Sequence, residues 1–448
     1  MDIQEYVQAF DEAERDFEAS VEAYGVPFER VESAPREARG RVAASCGCHC
    51  ENGAFSLWRT WISPACAACR TGEETATFFV DLRCTRHCYF CFNPNQDRYD
   101  YFLSHARDIV AELEQARAAG ARVRFLAITG GEPLLHKDRV AAFLRRAAEL
   151  YPGVHTRLYT SGDLLDDEGM RELAASGLTE IRFSIKPDDA SEADACQDRV
   201  YALMEQAVRV IPDVVVEVPV IPGSLVHMKD LLRRSDAIGV RGVNLLEFCF
   251  PLHNAEAFAN RGFKLRKRPF KFLYNYWYGG GVPVAGSEAE ALELLEFARR
   301  ERLGLGVHYC SSDNKNAGQI FQQNKAFFAD EALREAHPWM EQDDGDRFLK
   351  CAKAFGDDAR RVRQWADAAG SVPYGFDPAV PSIAFPSGCA EALHKAYPSM
   401  ALGESVNVVE VCEPPQSGAG RLPAPVAHRL REVGVVRLYN GRNADERR

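Results

Sequence analysis

Between about residue 74 and residue 310 the chain alternates short apolar runs with longer amphipathic ones, and nothing else in the sequence restricts the fold as strongly. ATFFVDL, RFLAIT, HTRLYT, EIRFSI, VVVEVPVI, VNLLEFCF and LGVHY read as strands. Between them lie helical patterns such as VAAFLRRAAEL, MKDLLRRSDAIG and SEAEALELLEFARRERLG, whose apolar residues recur at three- and four-residue spacing. Strands alternating with helices form βαβ units and a parallel sheet with helices outside it. Right-handed crossovers then put every strand's C-terminal end on one rim, where ligands bind in such folds. Six or seven units suit a partial or complete barrel, or a doubly wound sheet. Around this α/β core, 74–310, stand a helical and Cys-rich extension, 1–73, and a less regular C-terminal appendage, 311–448.

Charge and cysteine usage narrow the class further. Sixty-five acidic residues against 54 basic ones give a net charge of −11. Nucleic acid and anionic membranes favour basic surfaces, so neither is the expected partner. No uncharged apolar stretch approaches the ~18 residues of a membrane span. The acidic start, MDIQEYVQAFDEAERDF, is unlike a signal peptide, so a cytoplasmic location is expected. Fourteen cysteines in so large a chain, several of them tightly clustered, point to metal rather than disulfides.

The first strand runs into Cys84, Cys88 and Cys91, a C-x3-C-x2-C on a βα loop. Three thiolates so spaced can hold three corners of a cubane cluster and leave one iron without a nearby thiolate. A structural zinc would call for a fourth ligand, which His87 cannot easily supply from within the same tight loop. The second strand is followed by Gly130-Gly131-Glu132-Pro133. With Phe90 as the aromatic residue before the third cysteine, these two motifs resemble the radical S-adenosylmethionine (radical SAM) superfamily. The resemblance covers about residues 74–310 and implies a partial (β/α)6-type TIM-like barrel. It implies that a [4Fe–4S] cluster cleaves S-adenosylmethionine (SAM) reductively, and that the resulting 5′-deoxyadenosyl radical takes hydrogen from a small molecule or a peptide. An electron donor such as flavodoxin or ferredoxin is implied with it. By the same resemblance Gly130, Gly131, Glu132 and Pro133 receive the SAM amine, and Phe90 sits near the adenine. Ser184 and Lys186, on the polar face of EIRFSIK, become candidates for the ribose or carboxylate, and Ile221 for the adenine. Glu217, a lone carboxylate in a Val-rich run, reads as an ion pair or a SAM contact.

Cys46, Cys48 and Cys50 in CGCHC and Cys66 and Cys69 in SPACAAC precede the core. The C-x2-C pair needs partners, from CGCHC or from Cys310 at the end of the last strand; an auxiliary cluster, a structural zinc and free thiols all stay open. This C-x2-C, with YCSS and Lys315 after the core, faintly resembles uncharacterised oxidoreductases like the pyruvate-formate-lyase activating enzymes. Cys249 and Glu247, near the end of the sixth strand, could face the site. Cys196, Cys351, Cys389 and Cys412 read chiefly as core residues. The basic and aromatic segment 261–281 reads as a lid or substrate loop. An iron–sulfur electron carrier or sensor without SAM chemistry is the competing reading, and a zinc-stabilised interaction module a third.

Overall fold

The computed structural model describes residues 1–32, 36–185, 193–274, 280–344, 346–412 and 427–439, with only the backbone for 193–197 and 427. The chain divides into two units, Tyr24–Pro269 with Tyr276–Lys315, and Met1–Ala23 with Phe270–Asn275 and Asn316–Arg448.

The first unit is built on a nine-stranded sheet. In chain order its elements are α1 (Glu37–Cys46), β1 (His49–Glu51), β2 (Ser56–Arg59), α2 (Pro64–Cys69), β3 (Thr75–Phe79), α3 (Ile109–Ala118), β4 (Phe125–Thr129), α4 (Lys137–Leu150), β5 (His155–Thr160), α5 (Asp167–Ala175), β6 (Glu180–Ser184), α6 (Ala193–Ala207), β7 (Asp213–Val220), α7 (Leu225–Ile238), β8 (Gly242–Glu247), α8 (Ser287–Arg300) and β9 (Gly306–Cys310). The sheet order is β1-β2-β9-β8-β7-β6-β5-β4-β3. From β3 to β9 every neighbouring pair is parallel, so six βα units are followed by a seventh strand. β2 adds antiparallel to β9, and β1 to β2. This is a partial barrel.

Period-two alternation separates the two faces of the sheet. Ile181, Phe183, Val214, Val216, Val218, Val243, Leu245 and Val307 point outward into one core with the helices. From α4 come Val140, Phe143, Leu144 and Ala147, one apolar stripe at helical spacing. Asp108 and Asp166 start α3 and α5 by accepting from Ala111 N and Gly169 N. The inward face is polar: Arg157, Glu180, Arg182, Asn244 and His308 are all buried there.

In the second unit, strands Gly375–Asp377, Ser382–Phe385, Leu349–Phe355, Leu402–Cys412 and Ala427–Tyr439 form an antiparallel sheet in that order. Helix Ile3–Glu22 buries Ile3, Tyr6 and Val7 against Phe355, Val435 and Leu438 of that sheet. The sequence division at 73/74 and 310/311 therefore runs differently in space. Residues 24–73 join the barrel because β2 extends its sheet, and the N-terminal helix joins the C-terminal unit by apolar packing.

Candidate active site on the barrel rim

Parallel strands bring the ends of β3 through β9 to one rim. Cys84, Cys88 and Cys91 occupy the loop after β3, with Cys84 exposed and the other two half-buried. Asp81 fixes the start of that loop: its buried carboxylate accepts from Arg83 Nε (2.7 Å) and His136 Nε2 (2.7 Å). After β5, Asp163 accepts from Thr85 Oγ1 (2.9 Å) and from Arg86 Nε and Nη2 (2.8 and 2.5 Å). The Arg86 hydrogen bonds outweigh burial and hold the Asp163 carboxyl down at about 2. On the other side His253 donates to the Cys91 carbonyl (2.7 Å), Asn254 to that of Tyr89 (3.0 Å), and Asn95 to that of Pro251 (2.7 Å). Leu252 and Asn254 adopt left-handed conformations to make this turn, with φ of 62° and 56°. Strain at a bulky Leu persists only where its surroundings enforce it.

The Gly130–Pro133 turn lies against the same loop. Glu132 N donates to the Arg83 carbonyl (2.7 Å) and Gly131 N to that of Asp81 (3.3 Å). A Cβ at Gly131 would stand 1.7 Å from the Arg83 oxygen, and one at Gly130 would stand 2.7 Å from that of Asp81. Gly130 also has φ +111°, a conformation other residues rarely adopt. These glycines are thus required for the approach of two protein backbones. Glu132, 2% exposed, accepts from Thr160 Oγ1 (2.8 Å), Ser161 N and Oγ (both 2.7 Å) and Leu134 N (3.1 Å). Its carboxylate ties the ends of β4 and β5 together.

Phe90 is half-buried and packs edge-to-face on Phe248 (5.4 Å between centroids) and Tyr89 (5.0 Å). Ser184 ends β6 on the same rim, and Ile221, just past β7, is buried. Lys186 lies outside the described residues, as does the side chain of Cys196. Glu217 accepts from Arg182 (3.0 Å) and Asn244 (2.8 Å), the ion-pair alternative. Glu247 and Cys249 are buried rather than open to the rim: Glu247 accepts from Arg266 and Ser312 N, and Cys249 lies 3.3 Å from Ser312 Oγ.

The lid reading of 261–281 does not hold for its described part. Arg266 is 1% exposed and pairs with Glu247 (3.0 Å) and Glu288 (2.9 Å). In the second unit Phe270 packs on Phe17 and Phe272 on Phe348. Arg266 there serves buried ion pairs and Phe270, Phe272 and Tyr274 are core, while Arg261 and Lys264 are exposed; residues 275–279 lie outside the described set. In the same unit Cys351 is buried against Ser405 (3.2 Å), while Cys389 and Cys412 are half-buried.

Asp81, Asp163, His253 and Asn254 went unmarked in the sequence. Only the SGD triplet closing the third strand offered a signal, as a polar turn at the rim.

The fold is a partial parallel barrel with three cysteines on one rim loop, a donor set suited to an iron–sulfur cluster. Three accessible thiols share one clamped loop, and Cys84 Sγ accepts from Arg86 N (3.5 Å). Residues 82–234 match the family model of the radical SAM superfamily. A Methanocaldococcus jannaschii protein, provisionally named a glycyl-radical enzyme activating enzyme, is 26% identical over 262 residues, 57% of this chain and 64% of the relative. The chain thus spans just under two thirds of that relative. PqqA peptide cyclase from Rhodopseudomonas palustris is 33% identical over 136 residues, 28% of this chain and 34% of the relative. SuiB from Streptococcus suis, solved with S-adenosylmethionine, aligns at 16% identity and a TM-score of 0.40 over 53% of this chain and 51% of its own. Residues 82–234 thus match the radical SAM superfamily, whose members use a [4Fe–4S] cluster and SAM. Among the described residues no helix is long and apolar enough to cross a membrane.

Proposed function

We propose that this chain is a radical SAM enzyme acting on a polypeptide, with Cys84, Cys88 and Cys91 holding the [4Fe–4S] cluster and leaving one iron for SAM. The observation that carries the reading is the cysteine loop itself, clamped from β5 by Asp163 and from beyond β8 by His253 and Asn254. When bound, cluster and SAM supply reductive cleavage and hydrogen-atom abstraction, chemistry that belongs to the cofactors.

The protein's part is to hold and orient. Asp163 and Asp81 fix the loop that carries the thiols, so the cluster would be presented at a set position above the strand ends. The Gly130–Pro133 turn would receive the methionyl end of SAM, with Glu132 keeping that turn rigid rather than reaching freely. Phe90 and Ile221 would flank the adenine, and Ser184 would meet the ribose or carboxylate. The reducing electron would come from a carrier such as flavodoxin or ferredoxin. A polypeptide substrate is supported by the names of the relatives, one provisionally an activator of glycyl-radical enzymes and the other a peptide cyclase.

The test is low-temperature EPR of the anaerobically reconstituted, dithionite-reduced protein with and without SAM, together with 5′-deoxyadenosine formation. A cluster signal altered by SAM, and product lost in C84A/C88A/C91A, is the expected outcome. An unaltered signal with no SAM binding would return the protein to the electron-carrier reading. Turnover of small molecules but of no peptide or protein would overturn the substrate class alone.

A further inference from the structure

Five cysteines lie between residues 46 and 69, in the part of the barrel unit before β3. Cys48 lies within electrostatic reach of Cys46 and Cys50, at the start of β1. Cys66 and Cys69 stand three residues apart on α2, a spacing that sets both on one helical face. Cys310 ends β9 two residues beyond His308 and on the same face; His308 Nδ1 lies 3.1 Å from Asn244 Oδ1, and Asn244 in turn donates to Cys66 Sγ. Arg157, on the inward face of β5, is within electrostatic reach of Cys66 and Cys69.

Cys66 and Cys310 meet polar side chains of the barrel. Cys66 Sγ accepts from Arg182 Nη2 (3.2 Å) and Asn244 Nδ2 (3.4 Å), and Cys310 Sγ accepts from Asn314 Nδ2 (3.3 Å). Cys66 and Cys310 nonetheless keep accessible surface, and Cys69 is exposed. Donors already aimed at sulfur suit an anionic thiolate better than a neutral thiol, which is a weak acceptor. Arg157 adds a cation whose Nε is buried without a partner.

Spacing selects the occupant. A single zinc with Zn–S bonds of ~2.3 Å would draw its sulfurs to about 3.8 Å from one another. Among the described residues, only His155, Glu180 and Asp213 bring three ligand atoms within 4.8 Å. That trio is an ion-pair cluster, since Glu180 already accepts from Arg182, Ser63 and His155. Cys66, Cys69 and Cys310 thus do not all lie within 4.8 Å of one another, wider than one tetrahedral ion calls for, and the same holds for the rim trio Cys84, Cys88 and Cys91.

We propose that Cys66, Cys69 and Cys310 form a second iron–sulfur site, independent of the loop that carries Cys84, Cys88 and Cys91. The full-length chain, reconstituted anaerobically, should hold about eight irons, and C84A/C88A/C91A about four with matching sulfide. Adding C66A, C69A and C310A should remove those four, while C46A/C48A/C50A should keep them. The milder C310S, made in the otherwise native chain, should release about half of the iron to a chelator faster than the rest. About four irons in the native chain, or one zinc in place of the residual iron, would overturn the proposal. So would residual iron that survives loss of Cys66, Cys69 and Cys310. These readouts count metal and do not depend on SAM cleavage, so the two sites can fail separately.

Discussion

Replacing Gly131 with Ala tests whether the rim is held by contact between two backbones. The added methyl would start 1.7 Å from the Arg83 carbonyl oxygen, 2.3 Å from its carbon and 2.7 Å from the carbonyl carbon of Leu82. All three are main-chain atoms, so no side chain can swing aside. Relief means separating the Gly130–Pro133 turn from the cysteine loop and losing the 2.7 Å bond from Glu132 N to Arg83. Overpacking together with one lost hydrogen bond costs about 2–4 kcal/mol, roughly 30- to 1,000-fold in the balance between closed and open loop. Iron release to excess chelator, measured on the anaerobic protein, should accelerate within that range, and SAM affinity should fall with it. Gly40→Ala is the control. It sits within α1 with nothing within 4 Å of the new methyl, and should gain about 0.5–1 kcal/mol of helix stability without touching iron release. A G131A protein that releases iron and binds SAM as the native one does would refute the close-packing argument.

Other perturbations probe the neighbouring contacts. Asp163→Asn should loosen the cysteine loop by about 1–2 kcal/mol, a figure reduced for solvent screening at a partly exposed pair. Because folding lowers this carboxyl from 3.8 to about 2, its contribution is complete above its ordinary value and is lost as the pH falls through about 2. Chemical unfolding of the native and variant apoproteins, followed from neutral pH downward, should therefore converge at the acid end; a constant difference would exclude the charge. Glu132→Ala strands four donors from two segments and should cost on the order of 3 kcal/mol even in the apoprotein. Unchanged apoprotein unfolding would show that the carboxylate serves SAM alone. Phe143→Ala, at a fully buried ring 5.0 Å from Phe78, should cost about 3–5 kcal/mol in chemical denaturation. A loss below about 1 kcal/mol would contradict its place in the core.

Seven strands and the cysteine loop were legible because each is local: apolar periodicity, a thiol spacing, a glycine turn. The clamps were not, because Arg86 and Asp163 are 77 residues apart and His253 and Cys91 are 162. No local pattern marks a partner at such separation. The segment around Arg266 misled for a related reason. Six basic residues beside aromatics look the same whether they await a ligand or, as here, one of them reaches Glu247 and Glu288 in a dry interior. For Gly130 and Gly131 the residue type correctly signalled close approach, but not that the approaching atoms include the protein's own Asp81 and Arg83. Cys66, Cys69 and Cys310 were grouped from sequence as one option among several, and the link between them, through Asn244 and His308 on neighbouring strands, had no local signal.

The passage from β2 to β3 carries a consequence for traffic. Trp61 lies against Gly242 and Gly306, where its ring would meet a Cβ at 2.9 Å and its carbonyl oxygen one at 2.3 Å. Two residues on, Ser63 reaches Glu180 at 2.5 Å. Those three contacts fall at the starts of β8, β9 and β6, so the segment between β2 and β3 covers these strand starts, at the end away from the cysteine loop. The protein's own backbone thus occupies, at that end, the space a ligand would need.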